Sequence, residues 1–363
     1  MSALQDEDRV LIQTAVDKFI QDHYAFDERQ ARLQGAAPAG RHWRDFADLG
    51  WLALALPEAA GGLGGGIEDV QLLMRAFGRG LIAEPFTEVV LMAGKVLEAA
   101  ASSAEHEALL TDIASGSELI ILVGDFETSS CAAQAVAEGY RLDGTKSVVV
   151  QAGAATRYLV GAQLNGAPAL FLVPRSAAGL MLCEYPTIDS RSAGDVTFDA
   201  VLLPHSALVA QGEQAHRSLL DGLLFTLAAL VAEAEGIAAA LTEITAGYLK
   251  TREQFGVAIA SFQALQHLYA DMVLAEEEIR SLAWLAANAM HMEDRAMRER
   301  TLRAAKARAG KLGTAMAETA VQLHGGIGVS DEYVVGHYLR RMIALDATLG
   351  SADEHILYLA GQY

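Results

Sequence analysis

The C-terminal half constrains this chain more than any other feature. From about Arg217 to Thr251, Phe262 to Met292 and Arg295 to Leu323, Ala-rich stretches hold a helical apolar period with only short connectors between them. Each such helix must bury its apolar stripe, and a short connector reaches only the adjacent helix end. The economical result is a bundle of long antiparallel helices. A further helix is expected after Ser351. The first third shows the same period in shorter pieces. "EDRVLIQTAVDKFIQDHY" sets Val10, Leu11, Val16, Phe19 and Ile20 on roughly one face. "WRDFADLG" reads as a helix stopping at Leu49-Gly50, ahead of a Gly- and Pro-rich loop, and two more helices follow in "IEDVQLLMRAFGRGL" and "VVLMAGKVLEAAASS".

Between these parts, from about Leu119, the pattern turns short and β-rich: "LIILVG", "YRLDGTKSVVV", "RYLVGAQ", "ALFLVP" and "DVTFDAVLLP". Asp143-Gly144 and Asn165-Gly166 read as turns between strands, so a small antiparallel sheet is expected. The fold class is therefore α+β: an N-terminal helical domain (1–117), a central antiparallel β-domain (118–212) and a C-terminal helical bundle (213–363).

Charge excludes some partners. Asp plus Glu number 46 against 27 Lys plus Arg, a net charge of −19, which repels nucleic acid and anionic membranes. "LLDGLLFTLAALVAEAEG" is interrupted by Asp221 and Gly222, so no membrane-spanning run is expected. "MSALQDEDRV" has no apolar core of a secretory leader. The expectation is a soluble cytoplasmic protein with Cys131 and Cys183 as free thiols. The ten histidines, His42, His267 and His337 among them, lack ligand spacing, so no metal is expected.

Three short stretches carry chemistry only weakly when taken singly. Arg252 in "TREQFG" either pairs with a phosphate or complements a helix C-terminus. Gln263 in "FQALQHLYADM" either hydrogen-bonds a nucleotide or is an ordinary polar helix position. "QLHGGIG" either offers backbone N–H groups to a pyrophosphate or caps a helix; it follows no strand and lacks the dinucleotide-binding spacing.

Their joint order is more specific. "TREQFG … FQALQHLYADM … KARAGKLGTAMAETAVQLHGGIGVSDEY … LRR" resembles the acyl-CoA dehydrogenase family, and "LGWLALALPEAAGGLGGG" is similar to its N-terminal "GW…PEE.GGLG" stretch. "GTKSVVVQAGAATRYLVGAQ" and "DVTFDAVLLP" sit where its β-domain has matching strands. The resemblance implies an N-terminal helical domain, a central β-domain and a four-helix bundle. It implies FAD and α,β-dehydrogenation of an acyl-CoA thioester, in which a carboxylate takes the α-proton and flavin takes the hydride. It also implies dimers of dimers, an acceptor of the electron-transfer flavoprotein type, and a flavin site shared by two chains. The residues given to the neighbour's adenosine and pyrophosphate would here be Arg252, Phe255, Gln263, Gln322, Gly325 and Gly326, with His324 adjacent.

Other positions depart from the family. Counted without gaps, one usual place for the base holds Leu349, and the alternative place on the first long helix holds Thr226; neither is a general base. An arginine that follows the helix site is Leu227, the flavin-facing strand reads Val148, Val149, Val150, and "GDFETSSCAAQAVAEG" lacks the family's flavin-loop motif. The expected function is thus a subunit without a catalytic base, paired as α2β2 with a homologous chain that carries the glutamate and binds most of the substrate, with a steroid side-chain CoA ester as the substrate class that the two-chain analogy suggests. The alternatives are a self-sufficient homomer with a relocated base at Asp346, Asp353 or Glu354, and a scaffold homologue without enzymatic activity.

Overall fold

The computed structural model describes residues 4–33, 40–100, 104–124 and 131–361. The helices are α1 (Asp6–His23), α2 (Phe26–Leu33), α3 (Trp43–Asp48), α4 (Ile67–Gly80), α5 (Lys95–Ala100), α6 (Ala104–Ala114), α7 (Glu213–Thr251), α8 (Gln263–Met290), α9 (Arg295–His324), α10 (Val334–Ala347) and α11 (Ala352–Leu359). A π-helical segment, Thr87–Gly94, leads directly into α5. The sequence order suggests three consecutive segments, but packing gathers the chain into two compact units, each made of separate stretches.

One unit comprises 1–4, 39–66 and 83–226. Its centre is an eight-stranded sheet: β1 (Ile120–Val123), β2 (Ala132–Val136), β3 (Gly139–Val150), β4 (Arg157–Leu164), β5 (Ala167–Pro174), β6 (Leu180–Pro186), β7 (Ser192–Leu203) and β8 (Leu208–Gln211). The order is β6-β7-β3-β2-β4-β5-β8, with β1 beside β4. The sheet is mixed, which corrects the antiparallel expectation: β1 and β2 both run parallel to β4. β1 arrives from a helical segment, so no tight turn dictates its direction.

Asn165-Gly166 forms the expected two-residue turn. Leu164 pairs with Ala167, and both turn residues have positive φ, 52° and 80°. Asp143-Gly144 is not a turn. It is a bulge inside β3, where the register shifts between Leu142 and Gly144. The Asp143 carboxylate is used there, accepting from the Ala200 N–H at 2.9 Å and from Arg141 Nε at 2.7 Å.

The other unit comprises 5–38, 67–82 and 227–363. The long α8 and α9 pack on each other, and α10 and α11 pack on α9. The apolar centre includes Leu230, Ile237, Met272, Ile279, Met316 and Leu345. α4 crosses α7 at a pair of glycines. A Cβ on Gly236 would lie 1.9 Å from the Arg75 carbonyl oxygen, and one on Gly78 would lie 2.2 Å from that of Glu233. Only glycine permits so close an approach of two helix backbones. Beside this crossing, Gln71 donates to the carbonyls of Ala228 and Ala283, at 3.2 and 2.9 Å, and Arg341 pairs with Glu233 at 2.6 Å.

Two smaller expectations change. Val10 and Leu11 of α1 are exposed, and among the apolar residues named for that face Val16 is the buried one. By length and composition α7 does contain a window apolar enough to cross a membrane, and most of that window is buried in the protein. Asp221 and Gly222 lie within the helix without breaking it. Gly222 sits against Val96 and the Met92 carbonyl.

Candidate functional site

The helix ends bring the motif residues to one end of the second unit. α7 runs into a two-residue hairpin, β9 (Glu253–Gln254) and β10 (Val257–Ala258), and α8 starts at Gln263 directly after it. Since α9 returns antiparallel to α8, its C-terminus and the Gly325–Val329 3₁₀ turn lie at the same end. The hairpin tip is Phe255-Gly256, with φ of 55° and 79°, and Phe255 is 93% exposed. A large aromatic side chain in left-handed backbone and almost wholly in water carries two costs at one residue. Its ring makes an edge contact with Phe262 at 6.1 Å.

Arg252, Gln263 and Gln322 are exposed, and their side chains make no hydrogen bond or ion pair to another described residue. In an acidic chain this is notable for Arg252, since arginines such as Arg79, Arg308 and Arg340 each hold a carboxylate at 2.5 to 2.7 Å. Gly325 and Gly326 are exposed too, with open space where a Cβ would stand. Gly325 has φ 63° and its N–H donates back to the carbonyls of Val321 and Gln322, so it does cap α9. Its backbone donor is spent, and what it leaves is a turn with no side chain between Gly326 and solvent.

His324 is only 2% exposed and does not reach the surface with its neighbours. It stacks on Tyr248 of α7, centroids 4.4 Å apart, and touches Tyr333 at 5.3 Å. Its Nδ1 lies 2.8 Å from the Ala320 carbonyl, and burial pushes its pKa down, so the imidazole is neutral with the proton on Nδ1. Tyr248 was not singled out from the sequence. The signal available was its place one helical turn before Arg252.

The positions counted for the base are closed. Thr226 is fully buried, and its hydroxyl donates to the Gly222 carbonyl at 2.8 Å. Leu227 is likewise buried. Leu349 has φ 57° and packs its partly buried side chain against the apolar centre of the bundle. Next to it, the fully buried Lys306 ammonium donates to the carbonyls of Asp346 and Gly350, at 2.9 and 3.3 Å, with burial pulling its pKa down to about 8. Of the three carboxylates proposed as substitutes, two are engaged. Glu354 forms a capping box with Ser351 and is held below the usual carboxylate range by those hydrogen bonds. Asp353 pairs with Lys311 at 2.9 Å. Asp346 differs: its Oδ1 is buried against Gly310, where only the missing Cβ leaves room for it, and has no hydrogen-bond partner among the described residues.

On the sheet, Val148 is exposed at φ 56°, at a second bulge of β3 between Lys146 and Val149. Its N–H donates to the Tyr185 hydroxyl and to Asp195 Oδ1, both at 3.1 Å. Val149 is buried. Residues 125–130 of the segment lacking the flavin-loop motif lie outside the described residues. Among the described residues, no cluster of His, Cys, Asp and Glu has the arrangement of a metal site.

Comparison with known proteins agrees with this architecture. A family model described as acyl-CoA dehydrogenase, N-terminal domain, matches residues 6–117, and one described as acyl-CoA dehydrogenase, C-terminal domain, matches residues 218–362. The Tcur3481–Tcur3483 steroid ACAD structure superposes with a TM-score of 0.86 at 32% identity, over 98% of this chain and 97% of that one. The acyl-CoA dehydrogenase FadE27 of Mycobacterium tuberculosis is 29% identical over 318 residues, 85% of this chain and 84% of the relative. The ChsE4–ChsE5 complex from Mycobacterium tuberculosis gives a TM-score of 0.87 at 24% identity, covering 100% and 98% of the two chains, which bears on the fold alone. The chain belongs to the acyl-CoA dehydrogenase family. It is therefore a member of a family of FAD-dependent oxidoreductases. The exposed arginine, the amide side chains and the side-chain-free turn fit the anionic and adenosine end of that cofactor.

Proposed function

We propose that this chain is the base-lacking subunit of a heteromeric acyl-CoA dehydrogenase, and that it supplies the adenosine and pyrophosphate half of an FAD site whose flavin ring belongs to a homologous partner chain. One contrast carries the reading. The polar groups of Arg252, Gln263 and Gln322 are exposed and unspent, while the two base positions hold a packed leucine and a threonine whose hydroxyl is bonded to its own helix. In this reading Arg252 pairs with a phosphate, Gly326 lets it approach the main chain, and Gln263 and Gln322 hydrogen-bond the nucleotide. When bound, FAD supplies the hydride acceptor for α,β-dehydrogenation; the proton acceptor is the partner's carboxylate.

Phe255 supports a second chain at this end, since an exposed ring held in left-handed backbone gains only when something covers it. Likeness to the Tcur3481–Tcur3483 steroid ACAD supports a steroid side-chain CoA thioester as the substrate class. An α2β2 assembly would then hold half the flavin of a homotetramer. Expression of the chain alone is expected to give colourless, inactive protein, and co-expression with its partner a yellow, active complex. Full flavin occupancy and dehydrogenase activity from this chain alone would overturn the reading in favour of a homomer.

A further inference from the structure

Arg252 and the glycine turn belong to different helices, and a nucleotide diphosphate gripped by both needs them at a fixed separation. One contact between those helices sits immediately behind the two groups. The Tyr248 ring stacks on His324 with 30° between planes, and its hydroxyl donates to the His324 carbonyl at 3.2 Å. On the α7 side, the Arg252 N–H donates to the Tyr248 carbonyl at 2.8 Å, so Arg252 stands one turn beyond the ring. On the α9 side, Gly325 follows His324 directly. Tyr333 contacts both rings, at 6.5 Å from Tyr248 and 5.3 Å from His324.

We propose that Tyr248 is a positioning residue, a strut that fixes the Arg252 end of α7 against the Gly325–Gly326 turn of α9. The proposal rests on the diphosphate site described in the preceding section. Stacking sets the distance between the helix ends, and the directional hydroxyl-to-carbonyl bond sets their rotation. An aliphatic contact would supply the first without the second. His324 is suited to the other half of the strut because it is buried and its Nδ1–H is tied to the Ala320 carbonyl, which orients the ring against Tyr248. Displacement by about 1 Å would take a phosphate out of reach of one of its two anchors.

The test uses the assembly in which this chain retains FAD, stripped of flavin and titrated with it, and compares Tyr248→Leu, Tyr248→Phe and Arg252→Ala. Amide exchange over Gly325–Ser330 and melting temperature are followed in the same samples. Tyr248→Leu is expected to weaken FAD binding about tenfold and to speed exchange at Gly325–Ser330 while α8 keeps its protection, with Tyr248→Phe intermediate on both readouts. Wild-type affinity in Tyr248→Leu, or exchange rising equally through α8 and α9, would overturn the strut. Arg252→Ala separates the two ideas. Weakened binding in Arg252→Ala alongside unaffected Tyr248→Leu removes only the strut, whereas unaffected binding in Arg252→Ala removes the diphosphate site itself.

Discussion

The hairpin end of the bundle and the α10–α11 junction differ in how their polar groups are used. At the hairpin end, the exposed side chains of Arg252, Gln263 and Gln322 make no hydrogen bond or ion pair to another described residue. At the junction, Lys306 and Glu354 are committed within the chain, His355 is buried with its Nδ1 3.4 Å from Arg303, and Leu349 fills the place counted for a base. A surface kept free of internal partners is suited to an external one. A junction whose polar groups are buried within the chain belongs to the scaffold.

The sharpest way to break this comparison is to put a carboxylate back where burial is complete. Thr226→Glu is expected to destabilise the chain by about 3 to 5 kcal/mol, because the new charge has no partner. A thermal melt unchanged from wild type would mean that Thr226 borders an open cleft. The junction itself should titrate like a core. Burial, together with the Lys306 and Arg303 charges, brings the His355 pKa down to about 4. The unfolded chain then binds the extra proton first, and stability falls as pH drops from about 6.5 through 4, by on the order of 3 kcal/mol. His355→Gln should flatten that acid limb in denaturant melts. Lys306 acts at the other end of the scale: with a folded pKa of about 8, the cost of its buried charge is relieved as pH rises toward about 10.5. Lys306→Met should lack that rise.

The hairpin end predicts changes in binding more than in folding. Arg252→Ala is expected to cost about 1.5 to 3 kcal/mol of FAD affinity, read by flavin titration, with a melt close to wild type. Phe255→Asn gives the smallest effect and one of mixed sign. Asparagine tolerates the left-handed turn, so the isolated chain should gain about 1 kcal/mol, while subunit association measured by sedimentation should weaken. An isolated chain that loses stability would show that the ring is held for the chain's own sake.

How much of this was legible in the sequence depended on range. The long helices were, because each carries its own period, and so was the Asn165-Gly166 hairpin, because two residues of turn chemistry suffice. β2, β6 and β8 were not: "AAQAV", "LMLCEYP" and "LVAQ" have little apolar alternation and are ordered by their neighbours in the sheet. Asp143-Gly144 misled for a related reason, since the same dipeptide serves a turn or a bulge and the facing Ala200 decides which. At the candidate site, Arg252, Gln263 and the glycine turn stood out through their order along the chain. Tyr248 did not, because its significance lies in a contact with His324, 76 residues away.

Lys306 also bears on whether the proposed specialisation could be undone. A single Leu349→Glu change would put a carboxylate at one position counted for the base. It would place it in a left-handed turn, one residue from a carbonyl held by a buried ammonium. That positive charge would lower the new carboxylate's pKa and weaken it as a base. If the chain is the base-lacking subunit proposed above, recovering an independent enzyme would require the ammonium to be removed and the turn rebuilt as well as the leucine replaced. Under that reading no single step restores activity, so a division of labour between two chains would be hard to reverse.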